Sequence, residues 1–169
     1  MVKQILFMLL SLTNLNAMSQ TYETVEYQSS PIGEKLCFAI QWGEFAEFQE
    51  LIMQNHDSIN DRDKLGNTPL IMATIKENPL LVHILLENHA DPLITTPYGQ
   101  TARKLAQHLH AFKTSHMEDI NNDYKTLVSK KVKTEKELRY MVHVLEEIER
   151  MSSSLTNLEE IIQQLDSAH

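Results

Sequence analysis

The side chains that could carry chemistry are eight histidines, one cysteine and twenty-three carboxylates. Clusters of histidine and cysteine bind transition metals, and paired carboxylates in an apolar pocket can act as acid and base. His108 and His110 lie two positions apart, however, and residues at that spacing point in different directions on a helix. No isolated carboxylate pair stands in an apolar segment. The sequence therefore predicts no metal site, no catalytic residue and no cofactor.

Nucleotide-binding and hydrolase motifs are also missing from the sequence, including the phosphate-binding loop, Gly-x-Gly-x-x-Gly, His-Glu-x-x-His and Gly-x-Ser-x-Gly. The single thiol, Cys37, stands in the apolar segment Leu-Cys-Phe-Ala-Ile. Reactive cysteines need basic and partly open surroundings, which this segment lacks. We therefore expect Cys37 to be a small buried side chain and the protein not to be an enzyme.

The charge of the chain argues against nucleic acid as a partner. The 169 residues carry a net charge of −8, and the pI is near 5.4. A nucleic-acid-binding surface needs a basic patch to neutralise phosphates. The only basic cluster is Lys-Lys-Val-Lys at 130–133, which we interpret as a solvated helix face or turn. The alternative for this cluster is a contact with an acidic partner or a lipid headgroup.

The N-terminus has the pattern of a secretory signal. Met-Val-Lys is followed by an apolar run from Ile5 to Leu12 and by a polar tail with small residues. Residues 1–19 are a predicted signal peptide, cleaved after Ala17 or Ser19, which implies export to the periplasm or beyond. The run is shorter than the ~20 residues that span a bilayer, so no membrane segment is expected after its removal. The alternative is a buried N-terminal helix of a cytoplasmic protein.

A repeat of about 33 residues organises the middle of the chain. Three landmarks recur at that interval: Gly66 and Gly99, Thr68 and Thr101, Ala73 and Ala106. Ala39 precedes Ala73 by the same interval with a single extra position. Apolar residues at offsets of three and four lie between the landmarks, which predicts pairs of amphipathic helices. The repeats occupy residues 34–113, after a lead segment at 20–33.

The best-preserved copy, Gly66–Ala73, reads Gly-Asn-Thr-Pro-Leu-Ile-Met-Ala and resembles the Gly-x-Thr-Pro-Leu-His-x-Ala signature of the ankyrin repeat family. Pro69 suits the first turn of a helix, and Thr68 can cap it. The resemblance implies an all-α fold, a short helical solenoid. Ile71 replaces the family's His, whose hydrogen bonds to neighbouring loops are lost, and Glu77 replaces the usual Gly before the second helix.

The chain holds about two and a half repeats, fewer than the three that a solenoid needs. Residues 114–169 form a predicted helical extension with three helix starts, at Ser115-x-x-Glu118, Thr134-x-x-Glu137 and Thr156-x-x-Glu159. A break is predicted at Ser152–Ser154, and the apolar stripe comprises Leu138, Met141, Val142, Leu145 and Ile148. We expect this extension to fold back and cap the repeats. The alternative is a short coiled coil with another chain.

In ankyrin repeat proteins, the loop tips and the exposed side of each first helix form a concave groove that binds other proteins. By alignment, the groove positions are Gln41, Trp42, Lys64, Leu65, Asn67, Ile75, Lys76, Pro97, Tyr98, Gln100, His108 and Leu109. The resemblance therefore implies an exported module that binds a partner protein, for which a host protein is one candidate. The alternative is a structural or oligomeric protein that self-associates through its C-terminal helices, as a weak homodimer would.

Overall fold

The described part of the chain, residues 31–130 and 134–168 of a computed structural model, is built from six α-helices. They are α1 (Ile32–Trp42), α2 (Phe45–Gln54), α3 (Pro69–Ile75), α4 (Pro79–Glu87), α5 (Ala102–Ser129) and α6 (Glu135–Ser167), with a 3-10 turn at His56–Ser58. These ranges hold no β-strand beyond an isolated bridge between Thr95 and Thr101. The predicted all-α class is confirmed. Residues 1–19 and most of the lead segment lie outside the described ranges.

Local chemistry sets the ends of the short helices. Thr68 caps α3 by accepting a hydrogen bond from the Ile71 amide, and Pro69 begins the helix, as the sequence predicts. Asn78 caps α4 in the same way, with Pro79 at its first position. No helix in the described ranges is long and apolar enough to cross a membrane.

One hydrophobic core runs through the repeats and into the extension. The first helices α1, α3 and α5 pack side by side, and α6 packs against both α4 and α5. Ala39, Ala73 and Ala106 are fully buried at equivalent positions, and their small side chains let neighbouring helices approach closely. Leu158 and Leu165 of α6 are buried in the same core. Each such leucine contributes about 1.5–3 kcal/mol by leaving water, so α6 supplies the apolar area that a short stack lacks.

The first helix start predicted for the extension is wrong. Ser115-x-x-Glu118 does not start a helix, because α5 runs without interruption from Ala102 to Ser129. The expected boundary between residues 113 and 114 therefore falls inside one helix. A serine in the middle of a helix has no free backbone N–H groups to cap, because the preceding turn already pairs them. The extension thus begins as a continuation of the third repeat.

The predicted break at Ser152–Ser154 and the helix start predicted after it are also wrong. The serines at 152–154 do not break α6, and Thr156 lies within it, where its hydroxyl donates a hydrogen bond to the Ser152 carbonyl. Three serines lower helix propensity by only about half a kcal/mol each, and packing on the repeats outweighs that cost. Thr134 and Glu137 do form the predicted capping box. Hydrogen bonds from Lys130 and Thr134 lower the pKa of Glu137 to about 2.

The apolar row of α6 is shifted from the predicted stripe. Val144 is buried and Met141 and Ile148 are half-buried, whereas Leu138, Val142 and Leu145 are about half exposed. The buried row continues the alternating spacing of Leu155, Leu158, Ile162 and Leu165 backwards along the helix. The end of α6 that is anchored on the repeats therefore sets the rotation of the whole helix.

A polar cluster at Glu77 joins the repeats to both long helices. Glu77 has φ +53, a left-handed conformation that suits the glycine that the family usually has there and costs another residue about 1–2 kcal/mol. Its carboxylate pairs with the Lys113 ammonium at 2.5 Å and accepts a hydrogen bond from the Ser154 hydroxyl. Lys113 also donates to Ser154 at 2.6 Å, and Asn157 donates to the Glu77 carbonyl at 3.0 Å. The strained turn is thus fixed by α5 and α6.

Cys37 is buried in α1, as predicted, and its thiol donates to the Asn67 carbonyl at 3.7 Å. Burial, reinforced by the nearby Asp63 and Glu34 carboxylates, raises the pKa of the Cys37 thiol far above its usual range. The thiol therefore stays protonated at physiological pH, and it is a poor nucleophile in the folded protein.

Replacing Lys113 by Met should destabilise the fold, because it leaves the mostly buried Glu77 carboxylate without its cation. We expect the free energy of unfolding, measured by urea denaturation, to fall by about 1–3 kcal/mol. Lys125→Met is the matched control, since Lys125 is exposed on the same helix, and its effect should stay within about 0.5 kcal/mol. Equal losses in the two variants would contradict the role given to the cluster.

Thiol labelling tests the state of Cys37. In the native protein at about pH 8, a disulfide reagent should label Cys37 at least about 100-fold more slowly than in denaturant, because reaction requires the core to open. Free glutathione, labelled in both solutions, corrects for the effect of denaturant on the reagent. Similar rates in native and denaturing solutions would show that the thiol is accessible in the fold.

Candidate partner-binding surface

Two tight loops with the same hydrogen-bonding pattern carry the outermost of the predicted groove positions. In loop 1 (63–67), the Asp63 carboxylate accepts hydrogen bonds from the Leu65 and Asn67 amides at 2.9 and 2.8 Å. In loop 2 (96–100), the Thr96 hydroxyl accepts from the Tyr98 and Gln100 amides at 3.3 and 3.2 Å. This arrangement turns the loop tips outward: Leu65 is 74% exposed and Tyr98 is 90% exposed.

The two loops are fixed to each other. Arg62 donates hydrogen bonds from one guanidinium nitrogen to the carbonyls of Gly66 at 2.5 Å and Thr95 at 2.7 Å. Gly66 has φ +82, and a Cβ atom there would lie 2.5 Å from Cγ of Pro97, so only glycine fits. Arg62 therefore provides links between loops of the kind that the family's His, replaced here by Ile71, would make. No pattern in the sequence indicates this role of Arg62.

The first helices carry the remaining predicted positions. Gln41 and Trp42 are exposed on α1, with Trp42 at 64%, and Ile75 is exposed at the end of α3. His108 is exposed on α5, and its Nδ1 atom lies 2.9 Å from the Gln100 side-chain nitrogen. Loop 2 and α5 are thereby joined next to the Tyr98 tip.

Three of the twelve predicted positions are less accessible than the rest. Leu109 packs against the core, the Asn67 side chain lies 3.4 Å from the Asp63 carboxylate, and Gln100 is half-buried beside His108. The exposed positions are Gln41, Trp42, Lys64, Leu65, Ile75, Lys76, Pro97, Tyr98 and His108. The apolar and aromatic members of that set lie on α1, on α3 and on the two loops.

A shallow cavity of about 160 Å³ lies between α1 and loop 1. Its walls include Phe38 and Gln41 on the helix and Leu65 on the loop. The Phe38 ring lies 5.9 Å from the Trp42 ring, and Lys64 pairs with Glu34 at 3.0 Å across the cavity rim. Phe38 was not predicted from the sequence, although its position one helical turn before Trp42 places both side chains on one face of α1.

The residues that suggested metal or acid–base chemistry are dispersed. Over the described ranges, no three His, Cys, Asp or Glu side chains are placed to hold a metal ion. His83 pairs with Glu87 and His110 with Glu159 at separate places in the fold. Lys130 hydrogen-bonds Glu137 at 2.6 Å, and the rest of the basic cluster, 131–133, lies outside the described residues.

Comparison with known proteins agrees with the geometry of the loops and helix pairs. Residues 65–97 match the family model of the ankyrin repeat. A protein of Neisseria meningitidis serogroup B, named as a putative ankyrin repeat protein, is 38% identical over 60 residues, which are 36% of this chain and 24% of that protein. The match spans about a quarter of the relative's length, and no solved structure is significantly similar. Residues 65–97 therefore form an ankyrin repeat, as the sequence resemblance predicts.

Proposed function

We propose that this chain binds a partner protein through the groove formed by loops 1 and 2 and the exposed side of α1, α3 and α5. Ankyrin repeats generally mediate protein–protein interactions. The observation that carries the proposal is the exposure of Trp42, Leu65 and Tyr98 on rigid supports. Large aromatic side chains dominate the energetics of protein interfaces, and several exposed apolar groups on one surface are typical of an interaction site.

The rigidity of these supports favours binding. Arg62 joins the two loops, and the contact between Gln100 and His108 joins loop 2 to α5. A surface that is ordered before it meets its partner loses little conformational freedom on binding. The charge of Lys64 in this groove is balanced by Glu34. We therefore propose recognition through apolar and aromatic contacts, and a role in binding rather than catalysis.

Single substitutions at the groove test this proposal. Trp42→Ala and Tyr98→Ala should each reduce retention of the partner at least about 10-fold in quantitative affinity capture, because hot-spot aromatics contribute about 2 kcal/mol or more. The melting temperature should not change. Leu80→Ala is the matched control, since Leu80 is 56% exposed on α4, outside the groove, and this variant should retain the partner.

Two outcomes would count against the groove. Full retention by both variants would place the binding surface elsewhere on the chain. A fall of several degrees in melting temperature with binding intact would assign Trp42 or Tyr98 to packing instead. Once a partner has been captured with the wild type and purified, calorimetry should measure its affinity for the wild type and for the Trp42→Ala, Tyr98→Ala and Leu80→Ala variants.

We further propose that the chain is exported and acts in the periplasm or outside the cell. The basic start, the apolar run from Ile5 to Leu12 and the small residues near Ala17 support this location. Intact mass measured separately on cytosol, periplasm and culture medium is the test. Export predicts that the chain found outside the cytosol begins immediately after Ala17 or Ser19. A full-length chain found solely in the cytosol would contradict it.

A further inference from the structure

The outer halves of α5 and α6 form a two-helix stalk, residues 115–129 and 135–152. The hydrophobic core of the repeats ends at Leu109 on α5 and Leu158 on α6, and the polar contacts of this junction end at Lys113 and Ser154. Pairs such as Arg103 with Asp166 and Lys130 with Glu137 show that the two helices run antiparallel along their whole length. The stalk therefore projects beyond the repeats.

Helix α6 carries two apolar rows in the stalk. The first contains the buried Val144 and ends at the core. The second comprises Leu138, Val142 and Leu145, spaced by four and three positions, which are 50%, 56% and 46% exposed. A helix with one partner needs a single narrow row, whereas a wider apolar face is typical of a helix in a bundle of more than two. Among residues 31–130 and 134–168, the second row thus lacks the neighbour that its composition requires.

The second row is arranged almost symmetrically about Val142. Leu138 lies four positions before Val142 and Leu145 three after it. Beside them, the exposed Arg139 lies three positions before Val142 and the exposed Glu146 four after it. A two-fold axis at Val142 would therefore place Leu138 against Leu145 of a second copy and Arg139 against Glu146 of that copy. Such self-complementarity is what an interface between identical chains requires.

We infer that a second copy of this chain covers the row, with the two stalks packing antiparallel into a four-helix bundle centred on Val142. Arg139 pairs with Glu135 of its own helix at 2.6 Å, but both side chains are 80% exposed, so the guanidinium can also reach a carboxylate of a second copy. Opposite charges at symmetric positions favour a copy over an unrelated protein, because the two Arg139–Glu146 pairs form together. Three half-exposed side chains per copy bury well under the ~800 Å² per partner of a standard interface. The dimer is therefore weak, and it dissociates on dilution.

Sedimentation velocity of the full chain is the first test. Between about 10 μM and about 1 mM, the average mass should rise from one chain towards two. Val142→Glu should abolish this rise, because it places two carboxylates together at the axis. His143→Glu is the matched control: it adds the same charge at the next position, which is exposed and off the row, and the rise should persist.

Charge exchange is the second test, and it does not depend on how well Val142→Glu folds. Arg139→Glu and Glu146→Arg should each weaken the dimer at least about 3-fold, because each places like charges together across the interface. A mixture of the two variants should restore the association, because one variant carries two carboxylates and the other two guanidinium groups, so both pairs across the mixed dimer join opposite charges. A chain carrying both substitutions should associate as the wild type does.

Three results would overturn the inference. A wild type that remains monomeric throughout the range would show that a second copy does not cover the row. A dimer that survives Val142→Glu would place its interface elsewhere. A doubly substituted chain that stays monomeric, while circular dichroism shows it folded, would exclude the antiparallel arrangement.

Discussion

The contact between Glu77 and the two long helices is the constraint on which the rest of the structure depends. The turn between α3 and α4 adopts a left-handed conformation without glycine, and Lys113, Ser154 and Asn157 fix that turn from outside. This contact sets where α6 meets the repeats, which brings Leu158 into their core. The rotation of α6 at the core then decides which of its apolar residues face solvent along the stalk.

The sequence predicted those parts of the fold that depend on near neighbours. Thr68 and Pro69 start α3, Thr134 and Glu137 start α6, and Cys37 is buried, because caps and apolar segments act over a short stretch of chain. Predictions failed where distant packing decides the outcome. The serines at 152–154 stay helical because the Glu77 carboxylate and the repeats hold that segment, and both lie far away in the sequence.

The candidate surface also contains residues that the local sequence predicts and residues that it does not. Leu65 and Tyr98 could be predicted as exposed because they occupy loop tips that the repeat spacing aligns. Phe38 was missed because the first repeat departs furthest from the pattern. Arg62 was missed because its hydrogen bonds cross between repeats, to the carbonyls of Gly66 and Thr95. A side chain that bridges two successive loops leaves no periodic signal in its own neighbourhood.

The continuity of α5 makes it a spacer of fixed length. The helix begins beside the proposed groove, where His108 is exposed, and reaches the middle of the stalk near Lys125, about 25 Å away at about 1.5 Å per residue. Two chains joined antiparallel at their stalks would hold their grooves at opposite ends, about 50 Å apart by the same helical rise. Such an assembly would select a partner that itself presents two sites at that separation, and it would bind that partner with avidity.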